Sequence, residues 1–168
     1  MEISESTLSF VIKTAPRPKK RPKVYRYATV NPSKEDEEVV ANLYLKIANR
    51  PKIPLEGQIR TEFKFYVSPP KNTPKWKLQY IVRGYVRPNK SPDLDNYVKL
   101  ILDALNGLLW LDDRFIIEIH SGKYYTLDNP RTEILINEIP QPVSKIEAAE
   151  LFKDMTPHKK VSDFFEIE

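Results

Sequence analysis

Hydrophobic and polar residues alternate in several short stretches of the 168-residue chain. Alternation over residues 7–14 and 58–68 predicts two β-strands, because successive side chains of a strand point to opposite faces. The stretches 115–126 and 132–139 predict two more strands, separated by a turn at 127–131 that contains Asn and Pro.

Other apolar residues recur three and four positions apart, which predicts helices. One begins after Ser33, a favourable helix-capping residue, and ends near residue 48. A longer central helix covers 93–106 and ends at Gly107, where glycine readily adopts the left-handed conformation. The segment 77–82 fits a strand or a short helix, and the helix is favoured.

These elements occur in the order β-α-β-(α)-α-β-β, which predicts an α+β fold with a small mixed sheet and helices packed on it. The proline-rich segment 15–23 predicts an extended loop after the first strand. We expect one domain over 1–140 and a C-terminal extension over 141–168. Within the extension, a capping box predicts a short helix over 144–155.

Positive charge is concentrated in two acid-free tracts. Eight bases lie between Glu5 and Glu35, and seven more lie between Glu62 and Asp93, although the net charge is only +4. Segregated charge of this kind indicates a polyanion-binding surface, whereas the alternative is that basic loops only maintain solubility. The predicted DNA-binding residues in the tracts are Arg17, Lys19, Lys20, Arg21, Lys23, Arg26, Arg87 and Lys90.

Composition excludes several classes of site. The chain has no cysteine and only two histidines, so disulfides, thiolate-bound zinc and an imidazole zinc site are not expected. It has no Gly-x-Ser-x-Gly elbow, Walker loop or calcium-binding loop. We expect a cytoplasmic protein, because neither a signal-peptide pattern nor an apolar run of membrane-spanning length occurs.

Acidic residues cluster around the apolar central helix. Asp93 and Asp95 begin it, and Asp112 and Asp113 follow it within a few residues. Acids at both ends of a core helix suggest a site for a hard divalent cation such as Mg2+, which prefers oxygen ligands. Lys99, one turn after Asp95, would stabilise negative charge on a phosphate beside such a cation.

Each acid also has a purely structural explanation. Asp93 can cap the helix, Asp95 can pair with Lys99, and the Asp112–Asp113 pair can form a turn. These explanations are reasonable singly but weaker together, because Glu118 on the following strand could face the same cleft.

Four pieces of sequence follow one another in this region: the PDLDN segment 92–96 with Lys99, the LDALNG segment 102–107, the WLDD segment 110–113, and Lys123. In type, order and spacing they resemble the RusA family of Holliday junction resolvases. The resemblance is strongest over 90–125 and looser over 8–68.

The resemblance implies a small homodimeric endonuclease of bacteria and their prophages. Such an enzyme depends on Mg2+, for which Mn2+ can substitute, and cuts four-way DNA junctions with paired, symmetric nicks. Asp93, Asp95 and Asp113 would be the essential acids and Lys99 the catalytic lysine. The resemblance adds Asp112 and Glu118 as further metal-site acids and Lys123 as a base near the DNA.

Two segments depart from the family pattern. Trp76, Tyr80 and Tyr85 make 72–86 unusually aromatic, which suggests a dimer contact or base stacking. Tyr25, Tyr27 and Trp76 are each candidates for stacking on unpaired bases or for packing in the core. Residues 158–165 weakly resemble a peptide that binds a sliding clamp or another replisome component, although a disordered end is favoured.

Two other functions remain open. A non-catalytic protein that binds branched DNA would keep the fold without cutting. A nuclease selective for flaps or branches would act in phage replication.

Overall fold

The computed structural model of the protein describes residues 6–139. Its main sheet has four strands in the order β1-β6-β4-β5. The strands are β1 Ser6–Ile12, β4 Gln58–Val67, β5 Ile116–Tyr125 and β6 Arg131–Ile139. Strands β4 and β5 pair in parallel and the other neighbours are antiparallel, so the predicted mixed sheet is confirmed.

One face of this sheet forms the core with two helices, α1 Lys34–Leu45 and α3 Leu94–Leu105. Phe63 and Phe65 of β4 are buried on this face, and the Phe65 ring stacks on Tyr97 of α3 with 5.3 Å between centroids. Each large apolar side chain buried here contributes about 1.5–3 kcal/mol. The buried apolar side chains of α3 therefore hold this helix against the sheet.

The remaining elements include one that the sequence pattern did not reveal. Residues 77–82 lie in a helix, α2 Lys75–Val82, as favoured. Gly107 has a φ of 74°, as expected where the chain leaves α3. Strands β2 Lys23–Tyr25 and β3 Ala28–Val30 form a separate hairpin that begins where the predicted 15–23 loop ends, in a stretch for which no element was predicted. Their exposed residues give no alternation of buried and exposed positions from which to recognise them.

Ser33 precedes α1 as predicted, but its hydroxyl does not cap the helix. Instead, the buried Ser33 Oγ accepts a hydrogen bond of 2.7 Å from the backbone N–H of Lys20. The residue therefore fastens the proline-rich loop to the start of α1. Helix α1 also ends at Leu45 rather than near residue 48.

The predicted C-terminal helix and the clamp-binding peptide both lie outside the described residues, as does the whole of the predicted 141–168 extension. Among the helices of residues 6–139, none combines the length and apolar character needed to cross a membrane.

Candidate active site

The N-terminus of α3 presents two carboxylates to solvent. Asp93 is the residue before the first helical turn, and its extended backbone directs the chain into the helix, but its side chain makes no capping bond. Asp95 lies in the first turn, and the only side-chain hydrogen bond that it accepts within residues 6–139 is a long one of 3.5 Å from Asn96 Nδ2. Both side chains are exposed. Because no cap and no ion pair within the described part of the chain engages them, their oxygens are available to an external ligand.

A lysine of β5 holds the backbone segment that leads to Asp93. Lys123 Nζ donates hydrogen bonds to the backbone oxygens of Lys90, at 3.1 Å, and Pro92, at 2.8 Å. A charged donor that bonds two carbonyls fixes the backbone immediately before the first acid. Lys123 was predicted to be a base near the DNA, and the structure also gives it this internal role.

Arg87 braces Lys123 in turn. Its Nε donates to the backbone oxygen of Lys123 at 3.0 Å, and its guanidinium lies 3.9 Å from the centroid of the Tyr124 ring. Gly122 makes room for this arrangement, since a Cβ there would lie 2.7 Å from Arg87 Nη2. A glycine within a strand is the sequence signal for such a close approach, and the sequence reasoning missed it.

Lys99 lies on the exposed side of α3, as the helical spacing predicts. Its partner is Asp103 rather than Asp95, with 3.8 Å between Lys99 Nζ and Asp103 Oδ1. The Lys99 side chain remains 63% exposed, so this surface pair leaves its ammonium accessible.

Lys19 is positioned differently from the other bases of its tract. Its ammonium contacts Glu37 of α1 and lies 2.6 Å from Asp103 Oδ2 of α3, and its side chain is only 11% exposed. Burial acts to lower the pKa of Lys19, but hydrogen bonds to Asp103 and Glu37 outweigh it and raise that pKa above its ordinary value. Lys19 was predicted to bind DNA, but in the structure its ammonium links α1 to α3.

The backbone of Lys19 also joins the basic loop to the site. Its N–H donates to the carbonyl oxygen of Asn96, at 2.8 Å, in the first turn of α3. The loop consequently passes beside the turn that carries Asp95. Seven of the predicted DNA-binding residues are exposed, namely Arg17, Lys20, Arg21, Lys23, Arg26, Arg87 and Lys90.

The second pair of acids begins a short 3-10 helix, Asp113–Phe115. Asp112 Oδ1 accepts a hydrogen bond of 2.9 Å from the backbone N–H of Arg114, so this carboxylate caps the turn. Asp113 is exposed and makes no side-chain hydrogen bond or ion pair with residues 6–139.

Glu118 does not share a cleft with the α3 acids. It pairs across the strands with Arg60, which alternates with the buried Ile59 and Thr61 and so lies on the sheet face away from the helices. Glu118 accepts a hydrogen bond of 2.7 Å from Arg60 Nε and contacts His120. The Arg60 bond, then the His120 bond, lowers the pKa of Glu118. The expectation of a shared cleft was wrong, because it requires Glu118 to lie on the helix-facing side of β5. Pairing with Arg60 places it on the opposite side.

Within the part of the chain that the structure describes, no three side chains of His, Cys, Asp or Glu come together in a group able to hold a metal ion. Asp93, Asp95 and Asp113 are thus not united in one three-carboxylate cluster. The chemistry of the donors still suits Mg2+, which is commonly bound by one or two carboxylates while water and substrate phosphate complete its coordination. Asp93 and Asp95, which are exposed and have no ion-pair partner between residues 6 and 139, fit that pattern.

Comparison with known proteins extends this local picture to most of the chain. A protein of Bacillus subtilis (strain 168), named "Uncharacterized protein YqaN", is 36% identical over 93 residues. That match covers 54% of this chain and 65% of the relative, so the chain spans less than two thirds of the relative's length. The family model described as "Endodeoxyribonuclease RusA" matches residues 13–137, from the residue after β1 through most of β6. Because the matched region covers most of the chain and includes the acidic helix, this chain belongs to the RusA family of endodeoxyribonucleases.

Proposed function

We propose that this protein is a Mg2+-dependent endonuclease that resolves four-way DNA junctions by paired, symmetric nicks. The supporting observation is the first turn of α3. Asp93 and Asp95 are exposed there without a basic partner among residues 6–139, and the basic loop docks through Lys19 and Asn96. An acid pair beside phosphate would be unfavourable for a protein that only binds DNA, unless a cation lies between them.

In the proposed mechanism, Asp93 and Asp95 hold the divalent ion, and Asp113 is the third essential acid. A bound ion of this kind polarises a phosphate and lowers the pKa of water. Lys99 stabilises the charge that develops on the phosphate oxygens, since its ammonium is accessible one helical turn from Asp95. Lys123 keeps the backbone before Asp93 in place through its two carbonyl contacts. Asp112 and Glu118 have other partners and are assigned no metal role.

The exposed bases of the loop, with Arg87 and Lys90, would contact phosphates and supply most of the affinity. A twofold homodimer suits this function, because it presents two equivalent sites to two strands of like polarity. Dimerisation could also bring acids of two subunits together, which would complete a site that residues 6–139 of one chain do not form.

The test is cleavage of a synthetic four-way junction in Mg2+. Asp95→Asn should abolish nicking while junction binding is preserved or tightened, because a negative charge beside phosphate is removed. Asp128→Asn is the matched control, since this acid lies in the turn between β5 and β6 and bonds only the hydroxyl of Thr126 among the described residues. Normal cutting by Asp95→Asn would overturn the assignment of the acids.

A non-catalytic branched-DNA binder is the second candidate, favoured by the lack of a three-acid group in the described chain. It predicts tight junction binding without nicks in Mg2+ or Mn2+. Comparing junction, flap and linear duplex substrates would identify the third candidate, a flap or branch nuclease of phage replication.

A further inference from the structure

The hairpin of β2 and β3 projects from the rest of the fold. Its strands pair Lys23 with Val30 and Tyr25 with Ala28, which leaves Arg26 and Tyr27 as the turn. Every residue from 21 to 30 is exposed, and the hairpin forms a sheet of its own. Two-stranded hairpins are marginally stable alone, so a protruding one suggests that a partner contacts it.

The exposed side chains of the hairpin are aromatic and basic. Tyr25 is 58% exposed and Tyr27 is 88% exposed, and neither contributes to the core. Lys23 and Arg26 lie beside them, with the Arg26 guanidinium 5.4 Å from the Tyr27 ring centroid. No acid occurs between Glu5 and Glu35 to repel a polyanion. Proteins bind unpaired nucleotides with this combination of side chains, because aromatic rings stack on the nucleobases and basic side chains contact the phosphates.

Hydrogen bonds fix the position at which the hairpin leaves the fold relative to the carboxylates of α3. The Lys20 N–H donates to Ser33 Oγ at 2.7 Å, and the Lys19 N–H donates to the Asn96 oxygen at 2.8 Å. The Lys19 ammonium also bridges Glu37 and Asp103. The hairpin therefore leaves the fold beside the first turn of α3, and DNA bound at Asp95 would lie within its neighbourhood.

We propose that this hairpin recognises the branch point itself, with Tyr25 and Tyr27 stacking on bases that are unpaired or unstacked where strands exchange. A linear duplex offers its phosphates to Lys23 and Arg26 but keeps its base faces stacked inside. A branch point offers both phosphates and exposed nucleobase faces. The tyrosines would therefore discriminate branched from linear DNA, whereas Lys23 and Arg26 would not. This inference rests on the proposed function, in that branched DNA is taken as the substrate.

The experiment compares dissociation constants for a synthetic four-way junction and for a linear duplex of the same arm sequence. EDTA in the buffer prevents cutting. The variants are the double substitution Tyr25→Ala and Tyr27→Ala, the matched double substitution of both tyrosines by Phe, and Lys23→Ala. All three alter exposed side chains only, and a circular dichroism spectrum and melting temperature like those of wild type would verify that each variant is folded.

We expect the double Ala variant to lose roughly 5-fold or more of its junction affinity, since one stacked base contributes about 1–3 kcal/mol. Its duplex affinity should stay within about twofold, because the phosphate contacts remain. The double Phe variant should keep the junction preference, because the aromatic faces are retained. Lys23→Ala should weaken both complexes by similar factors.

Equal loss of junction and duplex affinity in the double Ala variant, or unchanged junction affinity, would overturn the proposal. The result is independent of catalysis. A wild-type protein that never nicks but prefers junctions through its tyrosines would overturn the nuclease assignment and support the hairpin's role. If wild type nicks junctions and the double Ala variant keeps the full preference for junction over duplex, the nuclease assignment is supported and the hairpin's role is overturned.

Discussion

The ammonium of Lys123 donates a hydrogen bond of 2.8 Å to the carbonyl oxygen of Pro92, the residue immediately before Asp93. A strand of the sheet thereby controls the backbone that presents the first acid of α3. This hydrogen bond acts on the backbone and not on a phosphate or an ion, so Lys123 is a positioning residue in the proposed mechanism.

Replacing Lys123 by Met should lower the cleavage rate roughly 10- to 100-fold, as is typical when a group that orients a metal ligand is lost. Lys123→Arg should recover part of the rate, since it restores a charged donor. The half-saturating Mg2+ concentration should rise for Lys123→Met, which a role in DNA binding alone would not cause. Lys52→Met is the control, because Lys52 is exposed and lies outside both acid-free tracts. An unchanged metal requirement in Lys123→Met would contradict the positioning role.

Replacing Lys19 by Met should destabilise the fold, because it leaves two partly buried carboxylates without their shared cation. Breaking a buried pair costs about 3–5 kcal/mol, and the partial exposure here places the expected loss at or below the lower end. Urea unfolding at pH 7 measures it. Lys20→Met is the matched control, since its side chain is 58% exposed and its contact to Asp36 is 3.6 Å.

The same ion pairs predict a dependence on alkaline pH. Because the pKa of Lys19 is raised in the folded state, its contribution is fully present below the ordinary value of 10.5 and is lost as pH rises through the folded-state pKa. Wild type should therefore lose more stability than Lys19→Met when the pH is raised above about 10.5. Parallel pH profiles for the two proteins would count against the bridge.

Glu118→Gln should leave junction cleavage near the wild-type rate, in contrast to Asp95→Asn, because Glu118 lies on the other face of the sheet with Arg60. The lowered pKa of Glu118 gives stability that is present above the ordinary value of 4.5 and lost as pH falls through the folded-state pKa. Thermal melts of both proteins should thus converge at acidic pH. A severe loss of cleavage in Glu118→Gln would restore this residue to the site.

Arg21→Ala should reduce the salt dependence of DNA binding. If Arg21 contacts one phosphate, the slope of log affinity against log salt should fall in magnitude by about 0.9 on duplex DNA. Lys52→Ala is the control, since Lys52 is exposed but lies outside both acid-free tracts. Equal slopes for wild type and Arg21→Ala would remove Arg21 from the DNA surface.

Local pattern was sufficient to predict the four main strands and the helix that carries the acids, because burial on one face gives strands and helices their periods. It was not sufficient for Lys19, since nothing in the run of similar bases distinguishes the one whose ammonium reaches both α1 and α3. Glu118 was misplaced for a related reason. The face on which a strand residue lies depends on its register with a neighbouring strand, and that pairing is set by distant residues.

The hydrogen bond between Lys19 and Asn96 also has a mechanical consequence. Part of any load that a bound polymer applies to the protruding β-ribbon would reach the globular body through this short tether, and the rest through the Lys20–Ser33 hydrogen bond and the chain that enters α1. The tether ends one residue beyond Asp95, so seating of the substrate and alignment of that carboxylate would be coupled without a hinge or a lid.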